Sequence, residues 1–139
     1  MDQDNVPYRL GRLFAVLERI QQQAQPGINA TIRDRYYGAA CTTPVTVFAT
    51  LLRLKNAHLK KLHAPQVTYF ERLIGETVEP MFEFPRQLNL PDQGRFAVGY
   101  YHQHQAFFSR KEEAPAAAAT AFNPSTTTVE TVKTTTEEA

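Results

Sequence analysis

The sequence has one cysteine, Cys41, in 139 residues, so no intrachain disulfide can form and the framework of a small secreted domain is excluded. A reducing cytoplasm is the expected setting. No apolar run approaches the ~18 residues needed to cross a bilayer. The start, MDQDNVPYR, has neither the basic nor the apolar stretch of a signal peptide, so a soluble intracellular chain with no membrane partner is expected. Ligand spacings of the CxxC or HExxH type are missing too. His102 and His104 stand two apart, roughly 200° around a helix axis, and cannot chelate one ion together. His58 and His63 straddle an expected helix end, and neither a metal nor another cofactor is expected. There is no glycine-rich phosphate loop. No local motif pairs Cys41 or a tyrosine with a histidine as nucleophile and base, so the chain does not read as an enzyme.

Net charge is nearly absent as well, +1 overall, but the balance hides a segregation. Residues 1–111 hold 14 Lys and Arg against 9 Asp and Glu, whereas residues 112–139 hold 1 against 5. Within the body, residues 5–61 carry 9 basic and 2 acidic side chains, and residues 62–111 carry 5 of each. The positive excess therefore lies in the first half. Such concentration is the footprint of a polyanion binder, although solvated helix faces give similar counts.

Helical periodicity fills the body. Asn5 is a plausible N-cap, and Leu10, Leu13, Phe14, Leu17, Ile20 and Ala24 follow the spacing of an amphipathic helix with Arg12, Arg19 and Gln23 on its reverse. Pro26 and Gly27 end it near Gln25. Residues 28–62 then join apolar stripes and cations in the same two elements. The first is a short helix capped by Asn29, burying Ile28, Ile32, Tyr36 and Ala40 and leaving Arg33 and Arg35 outside. The second starts at Thr43 and Pro44, a cap and first-turn pair. Val45, Phe48, Leu52, Leu59 and Leu62 mark its apolar face, widened by Leu51 and Leu54, and Arg53, Asn56 and Lys60 lie opposite, with Lys55 and Lys61 on the flanks.

A fourth helix carries Val67, Phe70, Ile74 and Val78, with Gly75 inside it as a signal of close helix packing. Pro80, Pro85 and Pro91 cut EPMFEFPRQLNLP into pieces too short for a helix, yet Met81, Phe82, Phe84, Leu88 and Leu90 are too apolar for a loose linker. It reads as an ordered connector laid over the bundle. Asp92 would cap the last helix, QGRFAVGYYHQHQAFFSRK. The pairs Tyr36/Tyr37 and Tyr100/Tyr101 are suitable for stacking on bases, but one ring in the core and one at its edge is the favoured reading. No strand pattern competes in residues 1–111. The expected fold is all-α: a bundle of about five helices over residues 1–111, with the ordered Pro-rich connector, followed by a disordered acidic Ala/Thr-rich tail over residues 112–139.

The runs IRDRYYGAA, TPVTVF, LLRLKNAHL, YFERLIGE and DQGRFAVGYYHQHQAFF resemble the C-terminal region of the large subunit of type I-C CRISPR effector complexes (Cascade), over roughly residues 5–109. In those systems the same region is also made as a separate small subunit. The resemblance implies a non-catalytic small subunit of a prokaryotic, cytoplasmic, RNA-guided antiviral complex. Its implied partners are the guide-RNA-containing backbone and large subunits, further copies of itself, and target DNA, most directly the displaced non-target strand. R-loop formation exchanges one duplex for another of similar stability, so sequence-independent phosphate contacts from a cationic helix face are enough to bias it. The candidate contact residues are Arg9, Arg12, Arg33, Arg35, Arg53, Lys55, Lys60 and Lys61.

Two other classes stay open. In one, the chain is a pure scaffold whose basic residues meet acidic patches on neighbouring subunits. In the other, it is a DNA-binding regulator with Arg33, Arg35, Arg53 and Asn56 on a recognition helix, although ACTTP joins the helices too abruptly for a helix-turn-helix.

Overall fold

The computed structural model describes the backbone of residues 5–117 and the side chains of residues 5–109. It is all-helical over the described residues: α1 Val6–Ala24, α2 Ile32–Thr42, α3 Pro44–Leu59, α4 Ala64–Val78 and α5 Leu90–Ala117. Two compact units divide the chain, Met1–His104 and Gln105–Ala139. The bundle described below belongs to the first. In the second, residues 105–117 are helical, so helix takes in residues 112–117 of the expected tail. The rest of that tail, residues 118–139, lies outside the described residues.

The helix at the centre is α1, not the basic stretch that follows it. Its contacts run to α2, α3 and α4, and residues on all sides of it are covered: Leu10, Leu13, Phe14, Val16, Leu17 and Ile20 are buried, and so are Gly11, Ala15 and Glu18 between them. The stripe visible in the sequence is one face only. Gly11 and Ala15 lie on a second face, small enough for α5 to approach: a Cβ on Gly11 would collide with the backbone of Phe96 and Tyr100, and one on Gly99 with the backbone of Tyr8. The two helices thus cross main chain to main chain. Gly75, expected at a close contact, instead faces open space.

Aromatic rings fill the centre. Phe14 meets Tyr37, Phe48, Phe96 and Tyr100 with centroids 5.5–6.5 Å apart, mostly edge-on or tilted, the arrangements that ring quadrupoles favour. The Tyr100/Tyr101 pair divides as one ring inside and one at the edge, Tyr100 fully buried and Tyr101 exposed, whereas Tyr36 and Tyr37 are both half-buried, with Tyr37 packed on Phe96 and Tyr100.

Caps explain the helix boundaries. Asn5 accepts from the Tyr8 amide at 3.2 Å, as its position before the first apolar residue implies. The cap of α2 is Thr31 rather than Asn29, because Thr31 and Asp34 close a reciprocal capping box, at 3.2 and 3.3 Å. Thr43 and Pro44 do open α3, but the Thr43 hydroxyl donates back to Ala39 O at 3.2 Å and so serves the end of α2. Since α2 and α3 are joined by Thr43 alone, the junction is shorter than the three- to four-residue turn of a helix-turn-helix. α5 starts three residues early: Asn89 Oδ1 accepts from Asp92 N at 2.9 Å, which makes Asn89 the cap and puts Asp92 in the first turn.

The connector is ordered as expected. Val45 N donates to Pro85 O and Leu88 N to Thr42 O, both at 2.9 Å, and Phe84 stacks on Phe48 at 5.2 Å. Leu88 is buried, but Phe82 and Leu90 point outward. The buried face of α3 is also turned slightly from the expected one. Val47, Phe48, Leu51 and Leu59 are inside, while Val45 and Leu54 lie exposed at its margins.

Candidate nucleic-acid interface

The eight candidate cations fall into two groups. Arg9 and Arg12 project from α1 and are spent inside the bundle. The Arg9 guanidinium donates to the carbonyls of Glu76 and Thr77, both at 3.1 Å, where it caps the C-terminal end of α4. Arg12 Nε donates to the buried Gln103 amide oxygen at 3.1 Å. Arg33 lies over the rings of Tyr37, Tyr100 and Tyr101, 5.1–5.8 Å from their centroids, and donates to the Tyr101 hydroxyl at 3.0 Å. Partial burial opposes its charge. The Tyr101 hydrogen bond, with Tyr100, Tyr101 and Glu18 nearby, outweighs burial and raises its pKa. Lys55 is 13% exposed and meets both carboxylate oxygens of Glu71 at 3.3 Å, tying α3 to α4.

Arg35, Arg53, Lys60 and Lys61 form the second group. All four are exposed, and among the described residues none has a side-chain hydrogen-bond or ion-pair partner. Arg53, Asn56 and Lys60 share the solvent side of α3, with Lys61 in the turn that follows it and Arg35 on the neighbouring α2. Four solvated cations with no ion-pair partner among the described residues are what sequence-independent phosphate contact needs.

Beside them lies a cavity of about 230 Å³ where the end of α1 meets α2 and α3, walled by Gln21, Gln25, Arg35, Tyr36, Leu54 and His58 among others. Gln21 is 5% exposed, and its Oε1 accepts the Ile32 amide at 2.8 Å. Burial, and then the nearby Lys61 charge, lower the pKa of His58, which keeps the imidazole neutral at pH 7. The candidate set omits Gln21 and Gln25, and their i,i+4 spacing at the end of α1 is the one signal that the sequence offers for them.

Burial pushes the Cys41 thiol pKa up, away from the thiolate that a nucleophile requires. His102 Nδ1 pairs with the Tyr8 hydroxyl at 2.6 Å, while His104 lies tilted against Tyr100, so the two histidines face different partners. Among the described residues there is no group of three or more His, Cys, Asp or Glu placed to hold a metal ion, and no helix long and apolar enough to cross a membrane.

No curated protein matches the chain. A family model, described as CRISPR-associated protein (Cas_Csd1), matches residues 1–108. That span takes in α1 through α4 and α5 as far as Phe108, hence the whole bundle, the solvated cations and the cavity beside them. With more than three quarters of its length matched, including every element that builds the basic face, the chain belongs to the Cas_Csd1 family of CRISPR-associated proteins.

Proposed function

We propose that the chain acts as a non-catalytic small subunit of a type I-C Cascade, beside the guide RNA and the large subunit, and holds the R-loop open by contacting the displaced non-target strand. The exposure of Arg35, Arg53, Lys60 and Lys61 on adjoining surfaces of α2 and α3, with no acidic partner among the described residues, carries this reading. Arg9, Arg12, Arg33 and Lys55 serve the bundle instead: they cap, brace and pair its helices. Sequence recognition is left to the guide, so the four cations need only bind phosphate.

A scaffold role has one observation of its own. Phe82 is fully exposed beside an apolar groove walled by Leu52, Ile74, Val78 and Met81, which suits a protein neighbour. The two roles are separable by salt. Four neutralised phosphates on a single strand give a log–log slope of affinity against salt of about −3. Labelled single strands of unrelated sequence are therefore expected to bind weakly and indifferently with that slope, and Arg53→Glu/Lys60→Glu is expected to abolish binding. Absence of wild-type binding, or no change on charge reversal, hands the basic surface to a protein interface.

A further inference from the structure

The cavity beside the cations has more in its walls than phosphate binding requires. At about 230 Å³ it is smaller than the ~300–1,000 Å³ typical of drug-sized ligands, and suits one planar ring system. Tyr36 and Leu54 give it an aromatic and an apolar wall, while Gln21, Gln25, Arg35 and His58 bring polar groups to it. Gln21 is the most telling of these. Its carbonyl oxygen is already committed to the Ile32 amide, which leaves the two N–H groups of a buried amide as donors at a cavity wall.

We infer that this cavity takes one unstacked nucleobase from a single strand whose phosphates rest on Arg35 and Lys61, an inference that rests on the strand-binding role proposed above. Arg35 belongs to both features, because it lines the cavity and is one of the four solvated cations. Lys61 stands just past His58 and close enough to influence its ionisation. The combination is that of general single-strand binders, in which a cationic track holds the backbone and aromatic side chains hold bases. The donors Gln21 and Arg35 favour a base with carbonyl oxygens at its edge. Thymine presents two such acceptors, and adenine none.

The test compares the full chain on oligo(dT), oligo(dA) and a strand of equal length made of abasic sugar-phosphate. Oligo(dT) is expected to bind roughly five- to tenfold more tightly than the abasic strand, the effect of one stacked base, with oligo(dA) between them. Tyr36→Ala should bring oligo(dT) down to the abasic level and leave abasic binding unchanged. Should that variant not fold, the wild-type His58 ring proton gives a second readout: its NMR signal should shift much further with oligo(dT) than with the abasic strand, whose phosphates act on it only through Lys61. Equal binding of oligo(dT) and abasic strands, with His58 moved alike by both, overturns the base pocket while the phosphate contacts stand. Tighter binding of oligo(dA) than of oligo(dT) overturns the carbonyl preference and with it the role given to Gln21. Binding of no strand at all overturns the strand-binding role, and the pocket's ligand falls with it.

Discussion

Glu18 is a carboxylate at 6% exposure in the middle of an apolar helix, and such a group is tolerated only when it is bonded. Its partner is the Tyr100 hydroxyl, which donates at 2.6 Å. Burial, and after it the Glu18 hydrogen bond and charge, raise the Tyr100 pKa far above the ordinary phenol value, so the hydroxyl stays protonated as a donor. Arg33 completes the group from above, over the Tyr100 ring and near enough to act on Glu18. Arg33 is exposed like the solvated cations, but these partners engage its guanidinium, which sets it apart from them. Tyr100→Phe keeps the ring packing and leaves a buried carboxylate short of its donor, at an expected cost of about 1–3 kcal/mol in urea denaturation. Because a glutamine in place of Glu18 carries no charge to satisfy, the double variant Glu18→Gln/Tyr100→Phe is expected to lose less than the two single losses combined. A strictly additive result would mean that the hydroxyl and carboxylate do not act as a pair.

At the scale of the element, the helices were legible in the sequence and their exact ends and contacts less so. Asn5 and the Thr43–Pro44 pair stand where the apolar periodicity begins, and both mark helix starts. Asn29 and Asp92 are good cap residues that lost to neighbours. Thr31 has Asp34 three residues on to close the box, and Asn89 has its side chain on the Asp92 amide. Where several cap-forming residues cluster, reciprocal geometry decides among them, and residue type alone does not express it. The glycines make the same point more sharply. Gly75 has the same local appearance as Gly11 and Gly99, yet it faces solvent while the other two bring α1 and α5 into main-chain contact. The crossing joins opposite ends of the chain, so no local pattern reveals it. Gly11→Ala and Gly99→Ala are therefore each expected to cost at least 1–3 kcal/mol, roughly the penalty of overpacking, because the backbones themselves must move apart. Gly75→Ala is expected to stabilise by up to ~1 kcal/mol through helix propensity. Thermal unfolding of the three variants checks both signs, and a destabilised Gly75→Ala would show that α4 packs differently.

For the molecule as a whole, charge was legible as a total and illegible as a distribution of roles. The excess in residues 5–61 is real, but a side chain's use depends on partners remote in sequence: Glu76 and Thr77 for Arg9, Gln103 for Arg12, Tyr101 for Arg33, Glu71 for Lys55. None of these contacts follows from helical periodicity, so all eight cations look alike until the bundle is assembled. Once assembled, the bundle separates stability from binding, because the internal cations hold helices together and the solvated ones hold nothing in the described fold. Neutralising Arg9 or Arg12 with glutamine should lower the unfolding midpoint in urea and leave the salt slope for single strands unchanged. Neutralising Arg35, Arg53, Lys60 or Lys61 in the same way should leave stability within about 0.5 kcal/mol, as for other surface positions. Each of these four changes should also reduce the slope by about 0.7, the share of one phosphate contact. If Arg9→Gln flattened the slope without loss of stability, α1 would have to reach the strand directly and the division between bundle and surface would be wrong. If instead all four surface changes left the slope intact, the strand would have to lie on another face, and the cations of α2 and α3 would be answering acidic groups of a protein neighbour.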